Sequence, residues 1–142
     1  FTMSGWSFEY DIEVDEANRI VYEKIFGVWR IKTAESYRAD FEEEVKPIID
    51  RPWAKLIDLS NWKTSYPEVI DIVGKHLAWC RRHNMQWSVN VINNTITYNQ
   101  LQRMFDKGAT KEISRTFRNY AEAVQFLQEQ GYTVRPTPPS RT

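Results

Sequence analysis

Two alternating segments stand in tandem near the start of this chain, and after them strand and helix periods take turns. That order constrains the fold more than any single motif. In "WSFEYDIEV" (6–14), Trp6, Phe8, Tyr10, Ile12 and Val14 share one face, and Ser7, Glu9, Asp11 and Glu13 the other. This is the period of a half-buried strand. "DEANR" (15–19) supplies turn residues, and "IVYEKIFGVWRI" (20–31) reads as a second strand, close enough to form an antiparallel hairpin. Gly27 interrupts that strand, where an isolated glycine marks a bulge or a close backbone approach.

The period then changes. In "TAESYRADFEEEV" (33–45), Ala34, Tyr37, Phe41 and Val45 recur at helical spacing, with Thr33 as the expected cap. "WAKLIDLS" (53–60) is a short apolar strand. "PEVIDIVGKHLAWCRRHN" (67–84) is a helix with Val69, Val73, Leu77 and Cys80 on one face. "QWSVNVI" (86–92) alternates again. "TYNQLQRMFDKG" (97–108) is a helix with Tyr98, Leu101 and Phe105 inward and Gly108 as its stop, and "EISRTF" (112–117) is a brief strand. "NYAEAVQFLQEQG" (119–131) closes the series, with Asn119 and Glu122 as a capping pair and Gly131 at the C-terminal position.

The expected fold is therefore α/β, with a mixed sheet of about five strands, an antiparallel hairpin first and then β-α units. Right-handed crossovers make the later strands parallel. Two of those strands alternate, so the four helices are expected mainly on one face. The 142 residues suit a single domain, with a core over 6–132 and a Pro-rich tail over 133–142.

Charge narrows the function classes. Nineteen basic residues balance nineteen acidic ones, without the basic excess of a nucleic-acid footprint. No apolar run approaches the roughly 18 residues that span a bilayer, so membrane insertion is not expected. A lone cysteine, Cys80, and a first segment without a signal-peptide pattern suggest a cytoplasmic setting.

The element order, with "FGVWRIKTAESY" after the hairpin and "KLIDLSNW" after the first helix, resembles the STAS family of sulfate transporters and anti-sigma-factor antagonists. It is most similar to the small stand-alone members that overlap in fold with CRAL-TRIO lipid-binding domains. The glycine at 27, "DLS" at 58–60 and "RTFRNYAEAVQFL" carry the resemblance. It implies a non-enzymatic bacterial regulatory module that binds a protein partner, or a carrier of a small apolar or lipid-like ligand. Regulatory members carry an Asp-Ser-Ser-Gly turn after the central strand, with a phosphorylated serine. Here the matching residues are Lys63, Thr64, Ser65 and Tyr66, so only Ser65 keeps its hydroxyl in place.

Each candidate has two readings. Ser65 is a switch, or it forms a capping box with Glu68 ahead of the helix. Asp58 and Ser60 lie at a strand's carboxyl edge, the ligand side of open α/β sheets, or Asp58 simply accepts N–H groups in the loop ahead. Trp62, Lys63 and Tyr66 read as an aromatic, basic loop after the central strand. Trp79 sits with Ile72, His76 and His83 on a second side of its helix, and Asp58, Ser60, Trp62, Lys63, Tyr66 and Trp79 are the candidates for a ligand or partner surface. No carboxylate pair, nucleophile elbow or phosphate loop is present, so no catalytic residue and no cofactor are expected. His76 and Cys80 stand four apart, but a zinc site needs two further ligands, so no metal is expected. An exposed edge on the first hairpin would permit a weak homodimer.

Overall fold

The computed structural model describes residues 8–137. Five strands run β1 (Tyr10–Asp15), β2 (Ile20–Trp29), β3 (Trp53–Ser65), β4 (Met85–Val91) and β5 (Ser114–Phe117). Four α-helices are α1 (Ile31–Glu44), α2 (Pro67–Arg82), α3 (Thr95–Gly108) and α4 (Tyr120–Glu129). The strands lie in chain order across one sheet. β1 and β2 form the antiparallel hairpin, and every later pair is parallel.

This order decides where the helices go. α1, α2 and α3 each carry the chain from one parallel strand to the next in the same direction. A right-handed crossover then puts all three on the same face. α4 follows the last strand, has no crossover to complete, and packs on the opposite face. Two cores result. One joins Tyr37, Phe41, Val69, Leu77, Leu101 and Phe105 from the three helices to Val21, Ile25, Ile57 and Leu59 of the sheet. The other joins Ala123, Val124 and Leu127 of α4 to Ile20, Ala54, Leu56, Val89 and Val91.

β3 is longer than its apolar run. From the pairing Ile20–Ala54 to the pairing Trp29–Ser65, β2 advances nine residues and β3 eleven, so β3 holds two extra residues at two bulges. Gly27 sits at the second bulge with φ +71°, a conformation that glycine adopts at little cost. The bulges carry β3 through 61–65, which the sequence pattern assigns to a loop. They also break the alternation, so Leu59 and Trp62, three residues apart, face the same core. α2 and α3 cross closely, because a Cβ on Gly74 would lie 2.5 Å from Cβ of Lys107.

Several local expectations change. Trp6 and Ser7 lie outside the described residues; Phe8, expected inward, is 91% exposed, and Asp11, expected outward, is buried. α1 begins at Ile31 after Arg30, so Thr33 lies inside the first turn and does not cap it. Tyr98 is exposed where an inward position was expected. The stop of α3 is Ala109, in the left-handed region, with Gly108 used instead for close packing against α2. Asn119 caps α4 as expected, its side chain accepting the Glu122 N–H at 2.9 Å.

Candidate functional site

The candidate residues separate into four places. Asp58 alternates between Ile57 and Leu59 and so faces the α4 side. It accepts from the Ser60 N–H at 3.0 Å and the Ser60 hydroxyl at 2.6 Å, local bonds at the first bulge of β3 of the kind weighed against a ligand role. Trp62 and Ser65 point the other way, into the three-helix core, and are 5% and 8% exposed. Trp79 stacks on His83, ring centroids 4.1 Å apart, at the far end of α2. Lys63 and Tyr66 remain exposed.

Ser65 is not a helix cap. It ends β3, and Tyr66 is the N-cap of α2, with no side-chain capping bond. The Ser65 hydroxyl instead accepts the Trp62 indole N–H at 2.9 Å. Its backbone N–H donates to Gln100 Oε1 at 3.0 Å, while Gln100 Nε2 donates to the Thr64 hydroxyl at 2.8 Å. The side chain is thus built into the interior between β3 and α3.

Around Trp62 the three-helix face encloses a cavity of about 50 Å³. Trp29, Trp62, Leu101, Met104 and Phe105 form much of its wall, and Lys55, Ser65, Ser88 and Asn90 contribute the polar positions. All its lining residues are buried except Val73, which is partly so.

Beside the cavity lies a buried polar cluster that the sequence pattern did not single out. Glu23 on β2 and Lys55 on β3 face inward among Val21, Ile25 and Ile57, with side chains 0% and 3% exposed. The Lys55 ammonium lies 3.3 Å from Glu23 Oε2 and donates to the Tyr37 hydroxyl at 3.1 Å and to His76 Nε2 at 3.2 Å. Tyr37 donates to Glu23 Oε1. Cys80 lies 3.6 Å from the same histidine nitrogen. Phe41 closes the group, with the ammonium 4.8 Å from its ring centroid.

Burial governs the protonation of these groups. It raises the Glu23 carboxyl, against the pull of Lys55 and the hydrogen bond from Tyr37. Burial, then the charge of Lys55, hold His76 well below its ordinary value, so the ring is neutral. With Nε2 accepting from the ammonium, the proton sits on Nδ1, which has no partner. Burial pushes the Cys80 thiol up to about 12, so it is a packed thiol, neither a nucleophile nor a ready metal ligand. Among the described residues no three His, Cys, Asp or Glu side chains come together as a metal site.

The sequence did hold one signal for this cluster. Lys55 interrupts "WAKLIDL" at a position whose parity matches Trp53, Ile57 and Leu59. A charge on the buried face of a strand requires a partner. Glu23 in "IVYEKIF" has the same parity as Val21 and Ile25.

No protein-family model matches the chain, and no curated protein matches it. A solved structure does. It is an uncharacterised protein of the DUF3478 family from Shewanella loihica PV-4, described as having a SpoIIAA-like fold. The match has a TM-score of 0.62 at 15% identity, over 89% of this chain and 99% of that one. The fold is SpoIIAA-like, that of STAS domains. Among the described residues no helix is long and apolar enough to cross a membrane.

Proposed function

We propose that this chain is a non-enzymatic STAS-like regulatory module that binds a protein partner through the carboxyl end of its parallel strands. One observation carries the reading. The large hydrophobic residues that are exposed among those described are Phe8, Val28, Ile31, Tyr66, Ile96 and Tyr98, at 40% to 91% exposure. All six lie at the same end of the sheet. Val28 is next to last in β2, Ile31 opens α1, Tyr66 precedes α2, and Ile96 and Tyr98 lie in the first turn of α3. Phe8 joins them because β1 is antiparallel, and the neighbouring Glu9 carbonyl accepts the Phe26 N–H at 2.8 Å. Exposed apolar residues concentrated on one side mark a recognition surface. Arg30 lies 5.9 Å above the Tyr66 ring, and a cleft lined by Tyr98, Phe117 and Arg118 adjoins the same end.

The test is capture by cross-linking from cell extract. Ile31→Asp with Tyr66→Asp removes the captured protein, whereas Gln125→Asp with Gln128→Asp on the exposed side of α4 does not. Equal capture by both pairs sinks the reading. The buried, unbridged Cys80 fits a reducing bacterial cytoplasm. β1 is an edge strand, which supports a weak homodimer through the hairpin, and sedimentation at high concentration checks it.

A carrier is the second reading, with the cavity beside Trp62 as its site. Its size selects the guest. An apolar protein cavity of roughly 150 Å³ accepts benzene, so a space of about 50 Å³ excludes a lipid chain.

A further inference from the structure

Asn90 on β4 is 2% exposed and lines the cavity. Its Nδ2 donates to the Ser88 carbonyl at 3.1 Å and to the Arg115 carbonyl at 3.3 Å. Carbonyls only accept, so two of them fix which end of the amide is nitrogen. The opposite end is Oδ1, and no described residue donates to it. In a residue only 2% exposed that oxygen keeps no more than a trace of accessible surface, and a nearly buried amide oxygen without a donor in a native protein has a reason.

The neighbouring polar groups do not meet that need. The Lys55 ammonium faces Glu23, Tyr37 and His76, and the Tyr37 proton goes to Glu23. The Trp62 indole N–H is shared between Ser65 Oγ and the Thr64 carbonyl. The Ser88 hydroxyl lies 3.4 Å from Asn90 Nδ2, at the nitrogen end of the amide, and the rest of the wall is mainly Leu101, Met104, Phe105 and their apolar neighbours. A buried water normally makes two to four hydrogen bonds, and a wall this apolar supports few of them.

We propose that this cavity binds a small neutral molecule that donates one hydrogen bond to Asn90 and rests a short apolar body against Leu101 and Met104, the chemistry of a short-chain alcohol. The space is about three times the ~15 Å³ that one water needs, which matches a guest of a few heavy atoms. Met104 is the flexible side chain of the wall and adjusts to the guest. This site is separate from the exposed surface proposed above and stands or falls independently of it.

The experiment uses 2-propanol and acetone, which share size and shape but differ in the donor. Each is titrated into the full chain labelled on methionine methyls and tryptophan indoles, and followed by NMR. Expected is saturable 2-propanol binding, about tenfold tighter than acetone, the ratio set by one buried hydrogen bond made or left unmade. Probe methyls should show contacts to the Met104 methyl. Asn90→Leu should abolish the preference, and Leu101→Phe, which fills the space without touching Asn90, should abolish binding of both probes. Three wild-type results overturn the proposal: shifts that never saturate, equal affinity for the two probes, or contacts at Met104 from long-lived water alone.

Discussion

On the single-helix face, Ile20, Ala54, Leu56 and Val89 meet Ala123, Val124 and Leu127 around the buried Tyr22, and this cluster is hydrophobic. On the three-helix face, a glutamate, a lysine, a tyrosine and a histidine meet in the interior beside a cavity. Both faces belong to the same strands, so the difference lies in what each must hold. One helix lying across a sheet needs only area. Three helices that must share one face also need alignment, and the cluster takes one residue from each of β2, α1, β3 and α2. A buried ion pair is weak evidence for added stability, but removing one partner is severe. The faces therefore fail differently when cut.

The largest effect comes from leaving a charge alone. Lys55→Met strands Glu23 at 0% side-chain exposure, and a loss of about 3–5 kcal/mol is expected from urea unfolding. Adding Glu23→Leu should recover much of that loss, since the second change removes the orphaned carboxyl. A double variant as unstable as the single one would mean the cluster acts through packing alone. On the other face, Leu127→Ala leaves a hole in a hydrophobic core, at a cost of about 3 kcal/mol. No partner substitution should rescue it, and its cost should add to that of Lys55→Met because the sheet separates the two.

A smaller effect is set by pH. The folded-state value of His76 is lowered by burial and by Lys55. Below the unfolded value of about 6.5 the unfolded chain binds a proton that the folded chain refuses. The stability from His76 is thus full above that value and falls with acid, by up to about 1.4 kcal/mol per pH unit. Glu23 works in the opposite sense. Its raised value makes the folded chain hold a proton that the unfolded chain has released, so its contribution falls as pH rises above the ordinary carboxylate range. As the pH falls from 7 to 5, the urea midpoint of His76→Gln should rise relative to that of the parent chain, since the variant keeps only the opposing contribution of Glu23. Leu127→Ala should keep the parent's pH slope, since Leu127 belongs to the other core and contacts neither His76 nor Glu23.

Much of this comparison could be read from the residues, and the part that could not has a definite cause. Hairpin, parallel strands and helix order followed from periodicity and handedness, and the inward positions of α1 were legible in Ala34, Tyr37 and Phe41. The bulges were not. Two extra residues in β3 are a property of its pairing with β2, and alternation within β3 alone points the other way. For that reason Trp62 and Ser65, read as loop residues, lie in the core. The cluster was half legible. Lys55 and Glu23 each break an apolar pattern, but only the register, with Glu23 opposite Ile57, two residues along β3 from Lys55, shows that they meet.

The smallest effect separates two identical sequence signals. Asn119 with Glu122 and Ser65 with Glu68 both have the spacing of a capping pair. At α4 the pair is real: Asn119 Oδ1 accepts the Glu122 N–H, and its amide donates to Glu122 Oε1 at 2.8 Å. Asn119→Ala should cost about 1 kcal/mol. At α2 the strand continues through Ser65, so its hydroxyl never reaches the helix N–H groups. It accepts the Trp62 indole N–H, which also reaches the Thr64 carbonyl at 3.1 Å. Ser65→Ala leaves that second acceptor in place, so the donor is not orphaned, and the expected cost is about 0.5 kcal/mol, at the low end for one hydrogen bond. Urea unfolding of the two alanine variants side by side checks the ranking. A larger loss at Ser65 would mean that the hydroxyl, buried on the three-helix face, carries more of that face's alignment than its single bond to Trp62 accounts for.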